Sequence, residues 1–144
     1  MSNKALYPLS IHLFFRKGVN ILLLRRYNTG YEDGNYSVVA GHVEANESVI
    51  EAGVREAMEE VGVKVNSSDI KIVGIMHRKS NDERVDFFAY VDCWEGEIKN
   101  LEPKKCDELL WCKRAELPQN TIGYIKKALD YSDNSIWYDE FGWE

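Results

Sequence analysis

Three prolines are all that this 144-residue chain contains, and no Pro-, Gly- or Ser-rich stretch divides it. Internal repeats and low-complexity tracts are lacking too. Interdomain linkers and solenoid arrays carry those signals, so residues 1–144 are expected to form a single domain around one substantial core. No apolar run approaches the ~18 residues of a membrane span. The N-terminal MSNKALYPLS lacks the basic segment and long apolar run of a signal peptide. No membrane partner is expected, and the expected location is cytoplasmic. Positive charge is in deficit: 18 Lys and Arg against 24 Asp and Glu give a net charge of -6. That balance argues against a nucleic-acid polymer or an anionic membrane as a broad electrostatic partner, but leaves room for one nucleotide held in a local pocket. Cysteine is scarce as well. Cys93, Cys106 and Cys112 are odd in number and lack CxxC spacing, which fits buried free thiols in a reducing compartment better than a zinc site.

What the chain does carry is a mixture of strand and helix periods. Residues Leu6 to Phe15 and Val19 to Arg26 read as strands joined by a turn at Arg16-Lys17-Gly18. The stretch 27–36, YNTGYEDGNY, reads as loop. Short strands are expected at Ser37 to Ala40 and Leu109 to Lys113, with a longer pair at Ile70 to His77 and Arg84 to Trp94. A second helix is expected over Thr121 to Tyr131, where Ile122, Ile125 and Leu129 recur at helical spacing. Strands flanking a central helix, with another helix late, indicate an α/β or α+β sandwich with a mixed sheet.

The central helix begins at a capping box, Ser48 to Glu51. Ile50, Val54, Ala57 and Val61 fall on one apolar stripe. Glu56, Glu59 and Glu60 share another face, beside Val49, Ala52 and Gly53, with Arg55 placed four residues from both Glu51 and Glu59. Like charges at that spacing cost a few tenths of a kcal/mol, and Gly53 costs roughly 1 kcal/mol against Ala in a helix interior. Two readings follow from the carboxylates alone. One is a solvated face; the other is an oxygen-rich cradle for a hard cation such as Mg²⁺ or Mn²⁺.

The surrounding spacing decides between them. Gly41, five residues, Glu47, seven residues, and then Arg55-Glu56-Ala57-x-Glu59-Glu60-x-Gly62-Val63 meets every fixed position of the Nudix box. Chance agreement in a chain this long is on the order of one in a million from ordinary residue frequencies. The sequence resembles a Nudix hydrolase. That resemblance implies an α/β/α sandwich with the box as loop–helix–loop, and a metal-dependent pyrophosphohydrolase that cleaves a nucleoside triphosphate or another nucleoside diphosphate linked to a group X. It implies Mg²⁺, with Mn²⁺ as a substitute, held by Glu56, Glu59, Glu60 and the carbonyl of Ala40. One of these carboxylates, or one on a nearby loop, would take the proton of the attacking water. Arg55 would orient the carboxylates, Glu47 would pair with it, and Gly41 would permit the tight loop beside the substrate. ADP-ribose, a nucleotide sugar, or a non-catalytic nucleotide-binding role are the alternatives.

Outside the box, ILLLRR (21–26) and WEGEIKNLEPKKCDELLW (94–111) are similar to the MutT-like branch. That similarity implies nucleotide contact for Arg26, a metal-shell carboxylate at Glu102, and a packing role for Cys106. A solvated strand end is the other reading of Arg26. The branch usually carries Pro-Gly-Gly before the box helix, whereas this chain has Val39-Ala40-Gly41 followed by His42, which leaves the nucleobase open. His12 and Asp86 interrupt apolar alternation in their strands. Each either meets substrate or is a buried polar group with a structural partner. Of the tail aromatics Trp137, Tyr138, Phe141 and Trp143, core packing is the expected role, with base stacking or a dimer contact as alternatives. Monomer and homodimer are both compatible with the sequence.

Overall fold

The alternation of β1 (Leu9–Lys17) organises the molecule; the computed structural model describes residues 3–144. Ile11, Leu13 and Phe15 point to one face of the sheet, while His12 and Phe14 point to the other, as a strand period of two requires. The same alternation runs through β2 (Asn20–Arg26), where Leu22 and Leu24 join the first face and Ile21 and Leu23 the second. In β6 (Glu83–Val91), Ala89 and Val91 lie on the first face and Phe88 and Tyr90 on the second. Each face therefore demands its own cover. Helix α1 (Val49–Val61) covers the first through Ala52, Ala57 and Val61, and α2 (Gly123–Asp130) covers the second through Tyr124, Ile125, Ala128 and Leu129. This is the α/β/α sandwich with a mixed sheet that the sequence implied.

The sheet has a split edge that makes the site possible. On one side β1 runs parallel to β6, pairing Ile11 with Phe87 and His12 with Phe88. On its other side, the first half of β1 pairs antiparallel with β4 (Val39–His42), and only Arg16 and Lys17 pair with β2. Strand β2 continues outward to β3 (Tyr36–Ser37) and β7 (Cys106–Lys113), while β5 (Ile70–Lys79) extends the opposite edge antiparallel to β6. The chain of β4 thus emerges from the middle of the fold and leads directly into α1. No helix among the described residues is long and apolar enough to cross a membrane.

Several boundaries differ from expectation. Strand β1 starts at Leu9 rather than Leu6, and β7 starts at Cys106 rather than Leu109. The tail forms a further strand, β8 (Trp137–Phe141), parallel to β5. Its five residues have no local partner, so its pairing depends wholly on a distant edge. Of the tail aromatics, Trp137 is buried against Gly74 and stacks on Tyr131 at a centroid distance of 4.5 Å. Phe141 packs partly against the same core, but Tyr138 and Trp143 are exposed.

The apolar face of α1 is also broader than the Ile50–Val54–Ala57–Val61 stripe. Ala52 and Gly53 are buried, not companions of an exposed acidic face. A Cβ on Gly53 would stand 3.1 Å from Ile70 Cδ1 and 3.4 Å from Leu13 Cδ2. The lost helix propensity at Gly53 is thus offset by close packing of helix on sheet. The helix is delimited as expected. Ser48 and Glu51 exchange side-chain-to-backbone hydrogen bonds at 3.1 and 2.8 Å, and Gly62 ends the helix with φ of 72°.

Trp137→Ala is expected to lower the unfolding free energy by roughly 3 kcal/mol, the cost of emptying a buried aromatic site. Urea denaturation should show a reduced midpoint with an unchanged m-value.

Candidate active site

Strand β4 and helix α1 meet where Gly41 faces Glu56. A Cβ at residue 41 would lie 2.2 Å from both Cδ and Oε1 of Glu56. The carboxylate occupies the space that any side chain would fill, so the requirement for glycine here is steric. One residue earlier, the Ala40 N–H donates to Glu60 Oε2 at 3.2 Å. Strand and helix are thereby joined through the acids themselves.

Arg55 holds this junction. Its Nε and one terminal nitrogen donate to the two oxygens of Glu47 at 2.8 and 3.0 Å, and that nitrogen also reaches the His42 carbonyl at 3.0 Å. The other terminal nitrogen donates to Glu56 at 2.7 Å and to Glu59 at 3.3 Å. Glu51, expected as a partner of Arg55, instead closes the capping box. The bidentate contact ties loop 41–47 to the helix, and Arg55, with help from the Glu44 N–H, holds the Glu47 carboxyl down to about 2. These carboxylates raise the Arg55 pKa in return.

Glu60 behaves oppositely. Burial drives its pKa well above the ordinary carboxylate range, reinforced by a hydrogen bond that its protonated form donates to the Glu56 carboxylate and by the charges of Glu56 and Glu102. Glu56 is thus the carboxylate that Glu60 meets most closely. Among the described residues, no three His, Cys, Asp or Glu side chains stand ready-made around an ion; Glu56 and Glu59 are both drawn onto Arg55. The donor set is nevertheless all carboxylate oxygen, the chemistry that fits a hard divalent cation.

These acids line a cavity of about 630 Å³, in which Glu44, Glu56, Glu59, Glu60 and Glu102 meet Arg26 and Lys105. Arg26 ends β2, and its guanidinium is held by neutral oxygens, the Tyr31 carbonyl at 2.7 Å and Thr29 Oγ1 at 3.0 Å. Glu102 lies in the loop before β7, and its carbonyl accepts from the N–H groups of both Lys105 and Cys106. Cys106 itself is buried beneath that loop, with its thiol pKa pushed up by burial. The nucleotide-facing residues expected from sequence separate at this point. Gly41, Arg26 and His12 line a second, adjoining cavity of about 500 Å³, whereas Asp86 is fully buried behind it.

Asp86 accepts from His12 Nε2 at 3.1 Å and from Arg78 Nε at 2.6 Å. Burial raises its pKa, but the hydrogen bonds and charges of His12 and Arg78 prevail and hold it at about 2. The reading of Asp86 as a group with a structural partner is the one this geometry supports. His12 stacks on Phe88 at 4.8 Å, edge-on to Tyr124, with Nδ1 buried and without a partner. Sequence reasoning missed Arg78, Arg84 and Lys105. The first two face each other across the β5–β6 ladder, a relation that depends on hairpin register. Lys105 was visible only as part of the EPKKC stretch.

The NUDIX domain model matches residues 7–131. The chain belongs to the Nudix family. Similar solved structures include a MutT Nudix hydrolase from Burkholderia pseudomallei, with a TM-score of 0.80, 22% identity, and coverage of 88% of this chain and 98% of that one. The MutT protein from Methanosarcina mazei Go1 has a TM-score of 0.76 and 20% identity, covering 90% of this chain and 94% of that one. A UDP-X diphosphatase has a TM-score of 0.74 and 16% identity, covering 96% and 70% respectively. At these identities the structural likeness concerns the fold.

Two outcomes follow from the geometry. Gly41→Ala should force Glu56 off its position and lower activity by on the order of a hundredfold, as for one misplaced charge-stabilising group, while circular dichroism stays native. Asp86 is held below its unfolded pKa, so its stabilising contribution is complete above about pH 4 and is lost as pH falls towards 2. Urea midpoints measured across that window should fall more steeply for the wild type than for Asp86→Asn.

Proposed function

We propose that this protein is a divalent-metal-dependent pyrophosphohydrolase acting on a nucleoside triphosphate or a related nucleoside diphosphate-X compound. The observation that carries this reading is the meeting, in one cavity, of Glu56, Glu59, Glu60 and Glu102 with Arg26 and Lys105, the two lining cations that, unlike Arg25 and Arg55, are not committed to carboxylates. Neither cation makes an ion pair with a carboxylate among the described residues. Acids without a cation would repel a polyphosphate, and cations alone would bind it without activating water. Together they suit a phosphoric anhydride bridged to the acids by a metal.

Glu56, Glu59 and Glu60 are the proposed metal holders, joined by Glu102 and the carbonyl of Ala40. A bound Mg²⁺ or Mn²⁺ would neutralise phosphate charge and lower the pKa of the attacking water. The chain's own residues do the remaining work. Arg55 and Glu47 keep the carboxylates from splaying, and a glutamate of the cluster accepts the proton of water as it attacks phosphorus. Glu59 is exposed and only loosely held by Arg55, which leaves it free to move towards an incoming proton or cation. Arg26 and Lys105 bind the phosphate oxygens, where charge is carried in the transition state.

Hydrolysis should be measured across NTPs, dNTPs, ADP-ribose and nucleotide sugars with Mg²⁺ and with Mn²⁺. Glu59→Gln and Glu60→Gln should each lose on the order of a hundredfold or more in rate while remaining folded, and EDTA should abolish turnover. Wild-type rates in both variants, or full activity in EDTA, would sink the assignment.

A further inference from the structure

The cavity beside the acidic one has the opposite character. Its lining carries four cations, Arg26, Arg78, Arg84 and Lys105, against a single carboxylate, Asp82. In a chain of net charge -6 this is a local reversal of sign. Two of the four cations are fixed in place. Arg78 is only 3% exposed, lies 3.8 Å over the Tyr124 ring, and donates to Asp86 and to Ser80 Oγ. Arg84 is clamped by both oxygens of Asp82 at 2.8 Å, and a further nitrogen approaches His42 Nε2 at 3.3 Å.

These contacts leave both guanidiniums underused. Each has five N–H groups, of which about three are engaged, so about two on each arginine remain to be satisfied. The carboxylates cannot serve a ligand in their place. Asp86 is sealed behind Arg78, and the oxygens of Asp82 are both taken by Arg84. Among its charged groups the cavity therefore offers positioned donors and almost no free carboxylate, beside the neutral side chains of Ser10, Ser37 and Asn81. Burying an Arg–Asp pair is costly in itself, and the cost is offset if the arginine's remaining donors meet a ligand.

Resting on the proposed hydrolase reading, we propose that this second cavity selects substrates by an acceptor-rich group beyond the cleaved anhydride, with Arg84 and Arg78 as its specificity-determining residues. The chemistry recognised is oxygen lone pairs presented to the arginine donors, at the position where adenine and cytosine carry an amine instead. It has two possible sources, the carbonyl oxygens of an oxo-bearing base or a carboxylate on the group X. An exocyclic amine at the same place would set donor against donor and leave both sides unsatisfied. Asp86 acts through Arg78, as a positioning residue that fixes the plane of the guanidinium.

Binding without turnover separates this proposal from the hydrolase assignment. Isothermal titration with no metal added should show GMP and UMP binding about tenfold more tightly than AMP and CMP, the discrimination a charge-assisted hydrogen bond supplies. UDP-glucuronate against UDP-glucose forms the second arm and tests the carboxylate source. A preference in either arm supports the donor-lined site and identifies which source it reads. Arg84→Gln, with its fold checked by thermal melting, should reduce the preference to about twofold or less. Equal binding in both arms, tighter binding of AMP and CMP, no measurable binding of any probe, or an undiminished preference in Arg84→Gln would each overturn the proposal. Loss of hydrolysis with the binding preference intact would overturn only the enzymatic reading.

Discussion

Arg55 sets the geometry on which the rest of the site depends. Glu47, Glu56, Glu59 and Glu60 are crowded near one helix face, and their mutual repulsion would splay them if nothing opposed it. The guanidinium opposes it in three directions, towards Glu47, towards the Glu56–Glu59 edge and towards the His42 carbonyl. Because one of these contacts is bidentate and another reaches backbone, the same group also fixes the loop leading from β4 into α1. A lysine would supply the charge but not the fork that ties loop to helix.

The sheet then gives that helix something to aim at. Strand β4 inserts beside the first half of β1, bringing Ala40 and Gly41 under the acidic end of α1. The same split in the sheet edge opens the two adjoining cavities, one lined by acids and the other by arginines. Arg26, Lys105, Ala40 and Gly41 contribute to both, so one ligand can span them with its phosphates near the acids and its far end among the donors. Opposite local charges within one acidic protein are what such a ligand requires.

The parts of this arrangement that are local were legible in residue order. The capping box, the αL glycine at residue 62 and the phase separating apolar from acidic positions in α1 all depend on neighbours within one or two turns. Alternation in β1 and β6 likewise placed His12 and Asp86 opposite their apolar neighbours. Gly53 shows where local reasoning stops. As a helix residue it reads as a defect, and only the approach of Ile70 and Leu13 reveals it as a fit. The β8 strand was illegible for a similar reason, since its five residues pair with an edge about sixty positions away in the chain.

The sequence by itself determined the family, the carboxylate set and the brace among them, because the box spacing is written on one helix and the loop before it. Tertiary structure decided what those groups face. Whether Asp86 meets substrate or a buried arginine depends on which strand carries Arg78 and in what register. Whether the second cavity offers donors or acceptors depends on carboxylates already consumed by their own ion pairs. Such pairings join residues through the sheet and across hairpins, and their energies come from burial and geometry that residue order does not specify.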